Sequence, residues 1–452
     1  MKAIKKLLYI LLLCAILCST TSNVFAAEEP PETYSEACVL MEASTGRILY
    51  EKNAQQVMYP ASTTKIMPAI LALEHCNLTD VATVSYDSIF SVPYGYSHAN
   101  LQLGEELTIE QLLHVLLIPS ANDAAYVLAE HIGGSVDSFS SMMNAKAAEI
   151  GCKNTHFVNP NGIHDEEHVS TAYDMAVIGR YAMQNSVFRN IVSKTNYTLP
   201  TTNKYDKRDR VFNTTNELLK EDYRDRVDNY YYKYAIGIKT GYTDPAKHCI
   251  VAGAQKDGLE YVVSILGAGR TENGLQARPI DCKNLFEYAF NNYTISTVKE
   301  ANSLLKQVEV EGATKESQTL DIMVQDKIDI LTDIENVDMP LIPTIDLPAE
   351  LQAPITKYAV IGKITYTVDG ISYTSNLIAG NDVVKYEIDW AKIIFRVLLI
   401  ILILSLLTIF LKSTKNRKRG KKGKKKKSKK EKKCYHENET IGGHFRNNLN
   451  NF

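Results

Sequence analysis

Near its C-terminus the chain runs from Ile393 to Leu411 through little but Leu, Ile, Val and Phe, broken by Arg396, Ser405 and Thr408, and passes directly into KSTKNRKRGKKGKKKKSKKEKK. An apolar run of this length just spans a hydrocarbon core, and Arg396 near one end reaches the interface by extending its side chain. The run lacks a polar face, which argues against a helix lying flat on the membrane. Basic residues gather on the cytoplasmic side of a span, so the tail is expected inside and everything before the span outside. The other end of the chain agrees. Lys2, Lys5 and Lys6 precede an apolar stretch, Leu7 to Leu17, and Val24-Phe25-Ala26 offers small residues where a signal peptidase cuts. This predicts a cleaved secretory signal over residues 1–26. Cys18 follows Leu17 and not a small residue, a poor fit to a lipoprotein signal. The expectation is an exported body with a single-pass anchor at 390–411. A basic, disordered cytoplasmic tail over 412–452 would gain about 1 kcal/mol per basic residue near anionic lipid.

The formal net charge of −2 hides a division. From Lys412 onward 16 Lys and Arg stand against 3 Asp and Glu, so the exported body is acidic. A nucleic-acid binder carries its basic patch on the folded domain, so no nucleic-acid partner is expected. The body holds Cys38, Cys76, Cys152, Cys249 and Cys282. Their odd number and irregular spacing rule out a disulfide framework and leave at most one bridge open.

Within the body, Cys38–Met41 and Arg47–Tyr50 read as strands about the turn Ser44-Thr45-Gly46. Helical spacing marks Ser62–Glu74, Leu107–Ile132 with a break at Pro119, Asp137–Ile150, Ser170–Gln184 and Ile280–Asn292. Lys233–Ile238, Cys249–Gln255 and Tyr261–Leu266 read as strands. The segment 200–234, charged and tyrosine-rich, reads as a long surface excursion. After Tyr293 polar and apolar residues alternate, and Tyr358–Val368 with Ile371–Ile378 predicts a hairpin around Asp369-Gly370. Strands, then helices, then strands again indicate an α+β fold rather than regular βαβ alternation.

Three short stretches carry chemistry together. Ser62 and Lys65 stand three apart at the start of an apolar run, on one helical face, where a hydroxyl can be a nucleophile and an amine its base. Ser120-Ala121-Asn122 follows Pro119. Lys239-Thr240-Gly241 ends a predicted strand. Each alone is a weak signal, and a helix cap with a surface lysine accounts for most Ser-x-x-Lys sequences. The three in this order in an exported chain are far more specific. A lysine serves as base only if its pKa falls, which a helix N-terminus, a second cation such as Lys239 and burial all promote.

These motifs resemble those of penicillin-binding proteins and serine β-lactamases, and most closely the D-alanyl-D-alanine carboxypeptidases. VLMEASTGRILYEKN, YPASTTKIM, LLIPSANDAAYVLAEHIGG, Thr155 to Gly162, HVSTAYDMA and GIKTGYTDPA all follow that family's pattern, over about Glu36 to Tyr293. The resemblance implies a catalytic domain at 33–295 with an antiparallel sheet flanked by helices, then a small β-rich domain at 296–389. It implies acylation of Ser62, Lys65 as base, proton relay by Ser120 and amide binding by Asn122. The N–H groups of Ser62 and Tyr242 would form the oxyanion hole on the Gly241 strand. Lys239, Thr240 and Arg278 would hold the substrate's terminal carboxylate, although Arg278 is equally readable as a surface arginine. The implied substrates are peptidoglycan stem peptides ending in D-Ala-D-Ala, with β-lactams as inhibitors and no cofactor or metal, in a bacterial cell membrane.

Two features depart from the pattern or distract from it. Pro68 lies within the helix expected from Ser62 and would cost about 3 kcal/mol in an unrelieved interior, so a kink or a relaxed first turn is expected. His164 and His168 stand four apart like a zinc pair, but without a Glu directly after the first and on a loop, which favours a surface loop. Two other functions compete. A β-lactamase needs an added carboxylate for deacylation, usually in the region after Asn122, and no clear Glu-x-x-x-Asn element stands in that region. A silent wall-binding scaffold of the same fold would not need the intact Ser62, Lys65, Ser120, Asn122 and Lys239.

Overall fold

The computed structural model describes residues 29–221, 224–225, 228–337 and 339–437. The predicted signal over 1–26 lies outside them. The chain forms two compact units, one of residues up to 305 with 323–347 and 360–378, the other of 306–322, 348–359 and 379 onward.

In the first unit, five antiparallel strands build the central sheet: β1 (Ala37–Glu42), β2 (Ile48–Lys52), β3 (Ala235–Thr243), β4 (Lys247–Lys256) and β5 (Leu259–Ala268). Their spatial order is β2-β1-β5-β4-β3, which leaves β3 at an edge. Period-two alternation divides the sheet's side chains between two cores. Cys38, Leu40, Ile250, Ala252, Val263 and Ile265 pack on one face. They cover Leu285, Phe286 and Ala289 of α8 (Ala277–Asn292). Val251 and Val262 point the other way into a core shared with the helices.

Those helices are α1 (Ile66–His75), α2 (Tyr86–Phe90), α3 (Ile109–Leu117), α4 (Asn122–Gly133), α5 (Val136–Glu149), α6 (Ala172–Met183) and α7 (Ser186–Val192). The expected break at Pro119 is present and divides α3 from α4. The motif Thr108-x-x-Gln111 caps α3 reciprocally, Thr108 Oγ1 accepting from Gln111 N and Gln111 Oε1 from Thr108 N. Three boundaries differ from the sequence reading. The helix expected from Ser62 begins as a 3-10 turn, Ala61–Lys65, and becomes α-helical only at Ile66. The strand expected to stop at Ile238 continues to Thr243, so Lys239-Thr240-Gly241 lies inside it. The helix expected from Ile280 starts at Ala277 and takes Arg278 into its first turn.

The excursion at 200–234 is only partly on the surface. Asn196–Leu199 and Arg210–Asn213 pair as a hairpin, and a 3-10 turn at Glu217–Leu219 is buried. The polar composition misleads here because Leu218 and Tyr232 join the sheet's core.

The β-rich region starts with Tyr293–Lys299, which pairs with Ile328–Asp333. The expected hairpin forms over Val360–Val368 and Ile371–Ala379, and Thr344–Asp346 pairs with its first strand. Asp369 and Gly370 have φ of 49° and 76°, as a tight right-twisted hairpin turn requires.

The last helix, α9 (Trp390–Glu437), includes the apolar span 390–415. Its apolar side chains are exposed, as those of a lipid-facing helix are. The helix extends through the lysine run where a disordered tail is expected, in line with lysine's fair helix propensity. Cys38, Cys76, Cys152, Cys249 and Cys282 are all free thiols, which closes the question of a bridge.

Candidate active site

The site lies where the 3-10 turn, the start of α4 and the edge strand β3 converge. They border an open cavity of about 620 Å³ whose lining includes Ser62, Ser120, Asn122, Thr240, Gly241, Tyr242 and Arg278. Lys65 and Lys239 lie beneath it, 0% and 1% exposed.

The 3-10 turn is anchored from outside. Thr63 Oγ1 donates to the Pro60 carbonyl at 2.6 Å. Thr64 Oγ1 lies 2.9 Å from His168 Nε2, while His168 Nδ1 accepts from Val158 N at 3.0 Å. This pattern makes Nε2 the protonated nitrogen of a neutral ring, and burial pushes its pKa down to about 3. Both ring nitrogens of His168 are thus engaged, and His164 packs edge-on against Tyr59 at 4.6 Å. The pair supports the turn.

Lys65 Nζ makes three contacts of 2.8 Å, to Ser62 Oγ, Asn122 Oδ1 and the Asn161 carbonyl. Burial, reinforced by the Lys239 cation, holds its amine well below the usual lysine range, with Asp123 pulling the other way. A neutral amine suits these partners. It donates two N–H bonds to the amide oxygens and keeps a lone pair for the Ser62 hydroxyl.

Ser120 directly precedes Ala121, the N-cap residue of α4, and has φ of 66°, an uncommon conformation for a residue with a Cβ. Asn122 Nδ2 donates to the Ser97 carbonyl at 2.7 Å, which fixes its Oδ1 toward Lys65. Asp123, buried, accepts from the N–H groups of Ala99 and Leu101 and secures the same loop.

Glycine is required twice. A Cβ on Gly241 would fall 2.8 Å from Ser62 N and 3.1 Å from Thr63 N, so only glycine lets β3 approach the Ser62 backbone. A Cβ on Gly162 would meet the Ala61 carbonyl oxygen at 1.8 Å.

On β3, Lys239 Nζ donates to the Thr240 carbonyl at 2.8 Å, and burial together with Arg278 lowers its pKa to about 7. Thr240 Oγ1 lies 2.6 Å from Thr215 Oγ1. The Tyr242 ring is half exposed, its hydroxyl donating to Asp244 at 2.8 Å. Arg278 is 8% exposed and therefore no surface arginine. It does not present an empty fork either: Nε and Nη2 donate to Glu217 at 2.7 and 3.1 Å, and Nη1 reaches the carbonyls of Gly241 and Cys249.

Ser62, Ser120, Asn122, Thr240, Gly241, Tyr242 and Arg278 therefore meet at one cleft, with Lys65 and Lys239 buried beside it. Sequence reasoning missed Asn161, Thr215, Glu217, His168 as a support, and Asp123. Asn161 and His168 stood inside family-like stretches without a role. Thr215 and Glu217 carry no local signal.

Comparison with known proteins places this geometry. Residues 23–270 match the family described as D-alanyl-D-alanine carboxypeptidase, and residues 293–385 match the C-terminal domain of penicillin-binding protein 5. The chain is 31% identical to the D-alanyl-D-alanine carboxypeptidase DacA of Haemophilus influenzae, covering 78% of this chain and 86% of that one. It is 29% identical to DacF of Bacillus subtilis, covering 84% and 95%. Penicillin-binding protein 5 of Haemophilus influenzae superposes with a TM-score of 0.61 at 27% identity, over 79% of this chain and 100% of that one.

Proposed function

The chain belongs to the D-alanyl-D-alanine carboxypeptidase family, and from that premise we propose that Ser62 is the nucleophile with which this serine peptidase removes the terminal D-alanine of peptidoglycan stem peptides. The observation that carries the reading is the 2.8 Å contact of a buried, deprotonation-prone Lys65 amine with the Ser62 hydroxyl.

Ser62 Oγ attacks the carbonyl carbon of the penultimate D-alanine while its proton passes to Lys65 Nζ. The N–H groups of Ser62 and Tyr242 hold the oxyanion; the close approach of Gly241 to Ser62 N supports that pairing. Lys65 returns the proton through Ser120 to the departing amine as the C–N bond breaks. Water then hydrolyses the acyl ester. Asn122 binds the substrate amide, and Lys239, Thr240 and Arg278 face the terminal carboxylate. β-Lactams, which mimic the dipeptide, acylate the same serine.

The domain layout proposed is catalytic over 33–295 and β-rich over 296–389, with an anchor at 390–411. The secretory signal and the basic tail support a single pass with the active site on the extracytoplasmic side and the tail inside.

The test is intact-mass analysis of the full chain in detergent, with penicillin and separately with a D-Ala-D-Ala peptide, beside Ser62→Ala. A lasting penicillin adduct and released D-alanine, both lost in Ser62→Ala, is the expected result. Rapid penicillin turnover without an adduct would indicate a β-lactamase. Neither adduct nor D-alanine would leave a scaffold.

A further inference from the structure

Two of the groups facing the substrate carboxylate, Thr240 and Arg278, are engaged by one short segment, Thr214–Leu219. That segment is held on both sides. Thr214 N donates to the Thr195 carbonyl at 2.8 Å, Thr215 N to the Ile118 carbonyl at 3.1 Å, and Tyr232 N to the Leu218 carbonyl at 2.9 Å. Asn216 caps the 3-10 turn by accepting from Leu218 N, and Leu218 is fully buried in the sheet's core. Glu217, 2% exposed, accepts from Nε and Nη2 of Arg278. Arg278 Nη1 then bridges the carbonyls of Gly241 and Cys249 on β3 and β4. The Thr215 hydroxyl sits on that of Thr240 at 2.6 Å.

A bidentate ion pair shielded from water is tight, and removing one partner leaves an uncompensated charge. Arg278 therefore faces the cleft with its charge largely cancelled and its fork turned from the ligand.

We infer that Glu217 is a specificity-determining positioning residue: it cancels the charge of Arg278 and locks it onto β3, so that recognition of the terminal carboxylate falls on Thr240, oriented by Thr215, above Lys239. The inference rests on the carboxylate assignment made for Lys239, Thr240 and Arg278. It places peptides whose terminal carboxylate is masked as an amide within reach of the enzyme, because no bare guanidinium in the cleft demands a negative partner.

The experiment compares kcat and KM of the full chain for a D-Ala-D-Ala peptide and for its C-terminal amide. Wild type is expected to favour the acid modestly. Glu217→Gln unmasks Arg278, so KM for the acid should fall about tenfold with little change for the amide. In an Arg278→Met background Glu217→Gln should no longer alter the acid-to-amide ratio. Thr215→Val, which leaves the ion pair intact, should raise KM for the acid several-fold and leave kcat within twofold. Equal losses of kcat on both substrates, or an unchanged ratio in Glu217→Gln, would overturn the inference. If Glu217→Gln fails to fold, an unchanged ratio in Thr215→Val overturns it. A different outcome marks failure of the carboxylate assignment itself: wild type that treats acid and amide alike, with Thr240→Val neutral.

Discussion

Gly241 and Ser62 are in contact through their backbones, and a single added methyl on Gly241 would fall 2.8 Å from the Ser62 nitrogen. The strand and the Ser62 turn are thus set at the distance a hydrogen atom allows. Gly241→Ala must part them. Loss of one oxyanion donor commonly costs 10²- to 10³-fold, about 3–4 kcal/mol, and Gly241→Ala is expected to lower kcat/KM by about that factor. Penicillin acylation should slow in parallel, and the melting temperature should fall because the clash is with backbone that cannot swing aside. An unimpaired Gly241→Ala would remove Ser62 N from the oxyanion site.

The pH profile has a defined shape. kcat/KM rises as Lys65 loses its proton, and its lowered pKa puts this limb well below the ordinary 10.5. Lys239 loses its charge about pH 7, so KM for a free carboxylate climbs above that pH. Acid peptides should give a bell and amidated ones a plateau. An ascending limb centred near 10 would exclude Lys65 as the base. Stability carries the same signature. Between about 7 and 10.5 the unfolded chain holds the Lys239 proton that the folded chain has lost. Stability therefore increases with pH across that window, by up to roughly 1.4 kcal/mol per unit, and gains nothing further from Lys239 below it.

His168 acts at the acid end. Its folded pKa of about 3 lies below the ordinary 6.5, so the unfolded state takes up the proton first as pH falls. Its contribution is complete above 6.5 and is lost down to about 3, which amounts to roughly 3 kcal/mol by pH 4. His168→Gln should flatten thermal stability between pH 6.5 and 4. At pH 7 it should cost about 1–3 kcal/mol through the Thr64 and Val158 bonds. An unchanged acid slope would show that the ring is not held neutral.

Pro68 occupies the third position of α1, where a backbone N–H has no intrahelical partner in any case. The 3-10 turn ahead of it removes the conflict with the Thr64 carbonyl that a continuous α-helix would create. Pro68→Ala is therefore expected to shift stability by less than about 1 kcal/mol and kcat by less than twofold. A large loss of kcat would mean that the proline itself sets the position of Lys65.

The proposed catalytic groups were legible because their chemistry is local. Ser62 and Lys65 share a turn, Ser120 and Asn122 flank the start of a helix, and Lys239 to Gly241 are consecutive, so each motif survives as a string of letters. The sheet strands were legible in their apolar runs. What was hidden depends on distance along the chain. Glu217 meets Arg278 across 61 residues and Thr215 meets Thr240 across 25, from a segment whose composition reads as solvated. The ends of elements misled for a related reason. Pairing with β4, residue for residue from Lys239 with Val251 to Thr243 with Lys247, carries β3 on through Lys239-Thr240-Gly241.

β3 closes the sheet on one side, and a terminal strand of this kind offers a row of amides and carbonyls to any extended chain. Left open, such a row invites fibre growth. Here the Ser62 turn stands against Gly241 and the Thr215 hydroxyl against Thr240, so neighbours crowd the strand where it would be reached. On the proposed reading the occupant is a lone peptide, laid along β3 as a sixth strand and read through its main chain. The groove thus turns an aggregation hazard into a gauge for backbone shape, indifferent to most of what the peptide's side chains are.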